Sequence, residues 1–359
     1  MRDRRCAEGE QGIARVLGAL RRPTIHDVAA RAGVHPATAS RALDPARAGR
    51  VTAATTARVA EAAAELGYTP DRVARSLRTR RTGVVGVVVP DFTNPVIPPI
   101  VRGIEAVLWR SGIACVLADT DNSPEREAQL VAELQARRCD GLIVSSVTRS
   151  SPVPAQLVAA GVPAVLVTRG TDRAVLPLVT SDDASGIDAA ITHLVERGHC
   201  RLAYLAGPPE LSTTVARREA FTASVARHGL DPAGVTVCSC AAYTVGAAAP
   251  AARELLAMHP SVTAIVAGND MIAIGCLVAL EGAGLSCPAD VSIVGFNDMP
   301  LVDRLTPALT TVAIPQHEIG AAAASLLVEV IDGRSHDAAP LLLPTRLVVR
   351  GSTSFARRG

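Results

Sequence analysis

The sequence predicts an α/β protein: a small helical head followed by two doubly wound parallel-sheet subdomains. Its 359 residues exceed the usual domain size of roughly 100–200 residues, so two or three domains are expected. Two short helical stretches joined by a glycine turn begin after residue 22. From Gly83 onward, apolar runs of strand length alternate with helical stretches, the pattern of parallel sheets covered by helices on both faces.

Charge is distributed unevenly along the chain. All 36 basic residues are arginine. Residues 1–81 hold 16 Arg and 8 acidic residues, a net charge of +8, whereas residues 82–359 hold 20 Arg and 26 acidic residues, a net charge of −6. A basic head on an acidic body indicates that the head binds a polyanion such as DNA.

Composition and motifs argue against several other classes of protein. No apolar run approaches the 18 residues of a membrane span, and residues 1–22 lack the apolar stretch of a secretory signal, so we expect a cytoplasmic protein without a membrane partner. Most of the eight cysteines lie in apolar runs, although Cys238 and Cys240 leave a metal or redox pair open. Glycine-rich phosphate loops, HExxH and GxSxG are missing, so we expect no catalysis and no cofactor or metal.

The head is expected to contain three helices. Thr24 can cap the first helix, with Asp27 three residues later, and Gly33 can end it in a left-handed conformation. Pro36 suits the first position of the second helix. A third helix, from about Thr52 to Leu66, closes a small core. Two short helices with this turn form a helix-turn-helix unit, whose second helix enters the major groove of DNA; a helical bundle that never touches nucleic acid is the alternative.

In the second part of the chain, polar residues follow the predicted strands. The carboxyl ends of parallel strands are where open α/β sheets bind ligands, so a cleft between two such subdomains is the expected binding site. The residues expected to line it are Asp91, Asn94, Asn122, Asp182, Thr213, Arg217, Asn269, Asp270, Asn297 and Asp298.

Several stretches resemble the LacI/GalR family of bacterial repressors. "TIHDVAARAGVHPATASRAL" and "ARVAEAAAELGYTPDRVARSLRTRRTGVVGVVVPD" are similar to the family's DNA-binding head, hinge and first core strand. The similarity continues through "HLVERGHCRLAYLAGPP", "VAGNDMIAIG" and "VSIVGFNDMP". It implies a homodimer with a core of periplasmic-binding-protein type, which binds a pseudo-palindromic double-stranded DNA operator and a small-molecule effector.

The resemblance also implies which residues of the head contact the operator. Arg41 occupies a base-edge position of the recognition helix, and Thr38 and Ser40 lie near the phosphates. An arginine that pairs with guanine discriminates between bases by about 1–3 kcal/mol. His35 stands where the family usually has a serine cap. The implied contact residues of the head are Thr24, Pro36, Ala37, Thr38, Ser40 and Arg41.

A hinge helix and linker at residues 70–82 is a further implication of the resemblance. Leu77 matches the leucine that inserts into the minor groove of the operator. Arg72, Arg75 and Arg78 around it can neutralise phosphates. A solvated basic linker is the alternative interpretation of this segment.

For the effector, the resemblance singles out four positions. Arg217 matches the arginine that binds effector oxygens, and Asn269 matches another effector-binding position. Asn297 replaces the usual aspartate, which changes a charged acceptor into an amide that both donates and accepts. Tyr243 matches an aromatic residue of the family's pocket.

The sequence therefore predicts a transcriptional repressor whose operator affinity is controlled by a small polar ligand of sugar or nucleoside type. A small-molecule receptor without DNA regulation is the alternative. The expected organisation is a flexible basic arm at 1–22, the helix-turn-helix domain at 23–69, the hinge at 70–82, the effector-binding and dimerisation core at 83–352 and a tail at 353–359.

Overall fold

The chain folds into two units, Met1–Thr82 and Gly83–Gly359. A computed structural model describes residues 23–43, 50–69, 81–334 and 337–357. Across these ranges, no helix combines the length and apolar character needed to cross a membrane.

In residues 23–43 and 50–69, the first unit has three helices whose ends follow the predicted signals. Helix α1 spans Ile25–Ala32, α2 spans Pro36–Ala42 and α3 spans Ala53–Leu66. Thr24 and Asp27 form a capping box at the start of α1, and Gly33 ends it with a φ of 66°. His35 replaces a serine cap effectively, because its Nδ1 accepts the Ala37 backbone N–H at 3.2 Å.

Small apolar side chains form the core of this unit. Val28 on α1, Ala39 on α2 and Val59 on α3 are completely buried. Such small residues let short helices approach closely, and the helix-turn-helix prediction is confirmed.

The second unit contains two six-stranded sheets. The first has the order β11–β5–β4–β3–β1–β2 and is parallel throughout, and the second has the order β12–β10–β9–β8–β6–β7 with only β12 antiparallel. In the first sheet the strands are β1 Val84–Val89, β2 Ala114–Asp119, β3 Gly141–Val144, β4 Ala164–Val167, β5 Leu178–Ser181 and β11 Leu341–Leu343. In the second they are β6 Leu202–Ala206, β7 Val235–Ser239, β8 Ala264–Ala267, β9 Ser292–Asn297, β10 Thr310–Ala313 and β12 Arg346–Val348.

Eight helices connect these strands, and the chain crosses between the two sheets after β5, after β10 and between β11 and β12. The predicted pair of doubly wound subdomains is therefore confirmed. The helices are α4 Ile97–Arg110, α5 Pro124–Ala136, α6 Val153–Ala159, α7 Asp183–Glu196, α8 Ser212–Arg227, α9 Val245–Met258, α10 Asp270–Gly282 and α11 Gln316–Ile331.

The segment after residue 352, predicted only as a tail, forms hydrogen bonds with the half of the second unit that contains the second sheet. The Thr353 hydroxyl lies 2.9 Å from His193 Nε2, and the Ser354 carbonyl oxygen lies 3.0 Å from His199 Nε2. These contacts explain both histidines as structural residues at the end of α7 and in the turn after it. Burial lowers the pKa of His193 to about 4, so its ring is neutral at pH 7.

The cysteines are less buried than the sequence suggests. Cys240 and Cys276 are buried, but Cys200 is exposed and four others are intermediate among the seven in the described residues, all of which are free thiols. Burial raises the pKa of the Cys276 thiol well above its ordinary value, which keeps it protonated and unreactive.

Helices α4 and α11 pack closely because glycines face each other across their contact. A Cβ added at Gly320 would lie 1.9 Å from the Ile100 carbonyl oxygen, and one at Gly103 would lie 2.0 Å from the His317 carbonyl oxygen. Both neighbours are backbone atoms, so relief requires the helices to separate.

We predict that Gly320→Ala destabilises the second unit by about 1–3 kcal/mol, because the helices must move apart to admit one methyl group. Thermal unfolding should show a fall of several degrees, at about 2–4 °C per kcal/mol. Gly282→Ala is the matched control: Gly282 ends α10 with open space around it, so the same change should be neutral or slightly stabilising. Equal behaviour of the two variants would contradict the packing argument.

Candidate functional site

Helix α2 presents one solvent-exposed face in the first unit. Ala37, Ser40 and Arg41 are exposed, and their spacing of three and four residues places them on the same side of the helix. Ala39 and Ala42 are buried on the opposite side, against the other two helices. The α2 face therefore holds three of the six predicted operator contacts of the head.

The other predicted operator contacts differ in their surroundings. Pro36 and Thr38 are half-buried on α2. The Thr24 hydroxyl lies 2.7 Å from Asp27 Oδ2 and 3.4 Å from the Asp27 backbone nitrogen, so it is engaged in capping α1. The hinge residues Arg72, Arg75, Leu77 and Arg78 lie outside the described residues, and their roles stay predictions.

Two adjoining cavities lie at the carboxyl ends of strands β1 to β10 in the second unit. We call them the first cavity and the second cavity, of about 50 Å³ and about 130 Å³. Pro90, Asn94, Arg169 and Tyr243 line both. A polar site at the strand ends is where open parallel sheets bind their ligands.

Eight of the eleven residues predicted at the effector cleft line these cavities. Thr213, Arg217, Asn269 and Asn297 line the first, Asp91 and Asn122 line the second, and Asn94 and Tyr243 line both. Such polar groups, spaced along a concave wall, fix the orientation of a small ligand.

Asp182, Asp270 and Asp298 were predicted to line the cleft but line neither cavity. Asp298 instead forms an ion pair with Arg350, at 2.7 Å between its Oδ1 and Nη2 of the arginine. Asp182 lies at the first crossing between the two sheets. Its carboxylate caps α7, accepting the Ser185 backbone N–H at 3.1 Å and the Ser185 hydroxyl at 2.6 Å. Its carbonyl oxygen accepts the Thr345 hydroxyl from the third crossing. Thr180 and Ser181, just before it, line the first cavity instead.

Arg217 is anchored in a fixed position in the wall of the first cavity. It is 5% exposed, and its Nε and Nη2 donate to the two carboxylate oxygens of Asp183 at 3.0 and 3.4 Å. Its Nη1 donates to the Gly268 carbonyl oxygen at 2.8 Å, and its guanidinium carbon lies 3.8 Å from the ring centroid of Phe296. Three of its five N–H groups are used, which leaves two for a ligand.

Two of the three asparagines that line the first cavity, Asn269 and Asn297, are held by neighbouring helices. Asn269 caps α10, because its Oδ1 accepts the Ile272 backbone N–H at 2.9 Å, so its amide nitrogen is the group left to donate. Asn297 ends β9 with a φ of 117°, and its carbonyl oxygen accepts from Gln316 at the start of α11. Asn297 is therefore tied to the second crossing between the sheets.

The aromatic candidates have different roles. Tyr243 is the cavity aromatic, and its hydroxyl lies 2.7 Å from the Thr214 hydroxyl on α8. Phe296 lies inside β9 and is completely buried beneath Arg217. Phe221 stacks on Tyr204 in the core, whereas Trp109 is 76% exposed.

Sequence reasoning missed several residues around the cavities. Arg169 lines both, and Ser146 and Glu210 line the second. The buried carboxylate of Glu127 accepts the Ser146 hydroxyl at 2.5 Å and so orients it. Arg169 and Ser146 each lie two residues after the end of a strand, β4 and β3 respectively, so the strand-end argument could have found them. Within the described ranges, no group of three or more His, Cys, Asp or Glu side chains could hold a metal ion.

Asp270 lies directly behind Asn269 and is completely buried. Burial raises the pKa of its carboxyl group to about 7, although hydrogen bonds from the Thr311 hydroxyl at 2.5 Å and the Met299 backbone N–H at 2.8 Å oppose the shift. Asp270 thus ties α10 to β10 and to the loop after β9.

Comparisons with known proteins find matches in both units of the chain. Residues 24–71 match the model of bacterial regulatory proteins of the lacI family, and residues 191–353 match a periplasmic binding protein-like domain. The ribose operon repressor of Halalkalibacterium halodurans is 34% identical over 330 residues, covering 92% of this chain and 97% of that protein. The chain therefore belongs to the lacI family of bacterial regulatory proteins, and it is a transcriptional regulator.

Solved structures extend the similarity to the whole fold. A lac repressor dimer bound to operator and an anti-inducer superposes with a TM-score of 0.81 at 26% identity, covering 93% of this chain and all of that chain. A complex of the regulator CelR with cellobiose gives a TM-score of 0.70 at 32% identity, covering 92% and 100%.

We predict that Asp270 makes the second unit less stable as the pH rises. The folded protein keeps its proton up to a pKa of about 7, whereas the unfolded chain releases it near 3.8. Between these values the unfolded state binds fewer protons than the folded state. The contribution of Asp270 to the free energy of unfolding is therefore greatest below about pH 4 and falls by about 1.4 kcal/mol per pH unit towards pH 7.

The measurement is the free energy of unfolding of the wild type and of Asp270→Asn from pH 4 to 8. His193 acts in the opposite direction below its ordinary pKa of 6.5, but both proteins contain it, so it cancels in the difference. A difference that does not change with pH would show that Asp270 is ionised throughout.

Proposed function

We propose that the chain is a repressor that binds operator DNA through its first unit and is controlled by a small polar ligand bound in the second. One observation carries the proposal: a single chain contains both the exposed α2 face and the polar cavities at the strand ends. A receptor without DNA regulation would need only the cavities. It would not need a capped helix-turn-helix unit in the same chain.

At the DNA end, Arg41 on the exposed α2 face contacts a base edge, and Ser40 and Thr38 contact phosphates nearby. The lac repressor neighbour is a dimer on its operator. We extend that arrangement to this chain: two copies bind the two halves of a pseudo-palindromic site. A bacterial regulator meets its operator in the cytoplasm, where we place the protein.

At the ligand end, the first cavity offers groups that suit the hydroxyls and ring oxygens of a sugar or nucleoside. Arg217 and the Asn269 amide nitrogen supply donors, and the Asn297 side chain supplies both a donor and an acceptor. A relative is named for the ribose operon, and a neighbouring structure contains cellobiose. The proposal needs no catalytic step, because binding and release of the ligand are enough to change operator affinity.

Control of DNA binding follows from linkage. Both halves of the second unit contribute to the cavities, so a ligand binds best to one arrangement of the halves. It can change operator affinity only by as much as its affinity differs between the two arrangements. By the same linkage, operator DNA changes the ligand affinity by the same factor.

We predict that Arg41→Ala weakens operator binding by about 1–3 kcal/mol and relaxes the preference at one base pair of each half-site, because a bidentate base contact is lost. The measurement is the equilibrium affinity for the operator and for its single-base variants at fixed salt.

Arg58→Ala is the matched control, since Arg58 is an exposed arginine of the same unit on α3. It should leave the base preference unchanged and affect all sites equally, if at all. Loss of base preference in both variants, or in neither, would contradict the role of Arg41.

We predict that Arg217→Lys binds the effector roughly ten- to a hundredfold more weakly. A lysine keeps the charge beside Asp183 but loses the planar fork of donors, and such charge-assisted contacts contribute about 1.5–3 kcal/mol. Calorimetric titration should use whichever of ribose, cellobiose and adenosine stabilises the wild type against heat.

The exposed neighbour Arg218 gives the control, and Arg218→Lys should bind the ligand as the wild type does. Operator affinity without ligand should stay the same in both variants. The ligand concentration that changes operator binding should rise only for Arg217→Lys. An unchanged response would show that the first cavity is not the effector site.

A further inference from the structure

Arg169 is a buried cation without an ion-pair partner within 4.0 Å among the described residues. It follows β4, is 9% exposed and lines both cavities. Its side chain has one hydrogen bond to a described residue, from Nη1 to Asn122 Oδ1 at 3.5 Å, which is at the limit of such a bond. At least four of its five N–H donors therefore make no hydrogen bond to a described residue.

The backbone before Arg169 is fixed in an unusual conformation. Thr168 has a φ of 63°, which is strained for a β-branched residue. Three contacts hold it there: its N–H donates to the Val179 carbonyl oxygen at 2.8 Å, its carbonyl oxygen accepts the Thr180 hydroxyl at 3.0 Å, and its hydroxyl lies 3.0 Å from that of Ser145. Strain held in this way is typical of a residue that positions a functional group.

The two cavity arginines differ in how their charge is balanced. Asp183 neutralises Arg217 directly, whereas the acidic residues near Arg169 act from beyond ion-pair distance. Burial lowers the pKa of Arg169, and the charges of Glu127, Glu210 and Asp91 oppose that shift. A buried charge in proteins is normally paired, so Arg169 is the group whose partner is missing.

We propose that Arg169 binds an acidic group of the effector, a carboxylate or a phosphate, so that the effector is a sugar acid or a sugar phosphate rather than a neutral sugar. This inference rests on the proposed function. A carboxylate or phosphate accepts two parallel N–H bonds from a guanidinium and also neutralises its charge. Neutral hydroxyls can accept hydrogen bonds, but they cannot neutralise the charge.

The remaining cavity wall suits the rest of such a ligand. Asp91 uses Oδ1 for the backbone N–H and hydroxyl of Thr93, both at 2.7 Å, and no hydrogen bond to its Oδ2 from a described residue is observed. That oxygen and the amide of Asn122 can accept and donate to sugar hydroxyls. The second cavity, at about 130 Å³, has the volume of roughly four waters at liquid density, and a small hydroxylated acid can extend from it into the adjoining first cavity.

The first test uses inorganic phosphate as the probe, with full-length protein at constant ionic strength in chloride. Phosphate at ten times its dissociation constant should raise the melting temperature of the wild type by about 3–6 °C. Arg169→Gln should lose this shift, Arg169→Lys should keep part of it, and Arg218→Gln should keep all of it. The same shift in the wild type and in Arg169→Gln would overturn the proposal.

The second test distinguishes the two sources of the acidic group. Calorimetric titrations compare glucose, glucuronate and glucose 6-phosphate on the wild type and on Arg169→Gln. We expect an acid to bind the wild type at least tenfold more tightly than glucose and to lose that advantage in the variant; which acid gains more identifies carboxylate or phosphate. Tighter binding of glucose than of both acids to the wild type would overturn the proposal.

The outcomes separate this inference from the proposed function. Arg169-dependent phosphate binding that never alters operator affinity would support the anion site and contradict ligand control of DNA binding. Control of operator affinity by a neutral ligand, with no Arg169-dependent phosphate shift, would support the proposed function and contradict the acidic effector.

Discussion

The buried ion pair between Arg217 and Asp183 is the interaction on which the ligand site depends. It connects α8, which carries Arg217, to the start of α7, where the chain has just crossed from the first sheet to the second. Through Gly268 and Phe296 it also fixes the ends of β8 and β9. Removing one partner of such a pair typically costs about 3–5 kcal/mol, because the other charge stays buried and unpaired.

The pair also explains why the two cavity arginines play different parts. Arg217 is neutral in combination with Asp183, so it can orient ligand oxygens without requiring a charge on the ligand. Arg169, on the first sheet's side, has no such partner among the described residues and sets the charge of the ligand instead. Arg169 follows a strand of the first sheet, and Arg217 lies on a helix that connects two strands of the second sheet. A ligand that contacts both arginines therefore binds more tightly to one relative position of the two halves than to another.

Much of the fold and site could be predicted because the signals are local. Caps at Thr24 and Gly33 define the two ends of the first helix of the helix-turn-helix unit, and residues after apolar strands fall at one sheet edge by geometry alone. Contacts between distant segments could not be predicted. Asp182 directly follows a strand, as a cleft residue should, but its carboxylate caps α7. The next residue, Asp183, forms the ion pair with Arg217. Val116 and other residues of β2 are exposed because β2 lies at the edge of the first sheet. No local sequence pattern shows which strand lies at the edge.

A double-mutant cycle on unfolding free energy tests most directly whether the pair, rather than either residue alone, organises the ligand site. The variants are Arg217→Met, Asp183→Leu and the two combined. Each single change should cost about 3–5 kcal/mol, and the combination should cost less than the sum by about 2–3 kcal/mol, because neither charge is then left unpaired. Single costs that add to within about 0.5 kcal/mol would show two independent residues and contradict this account.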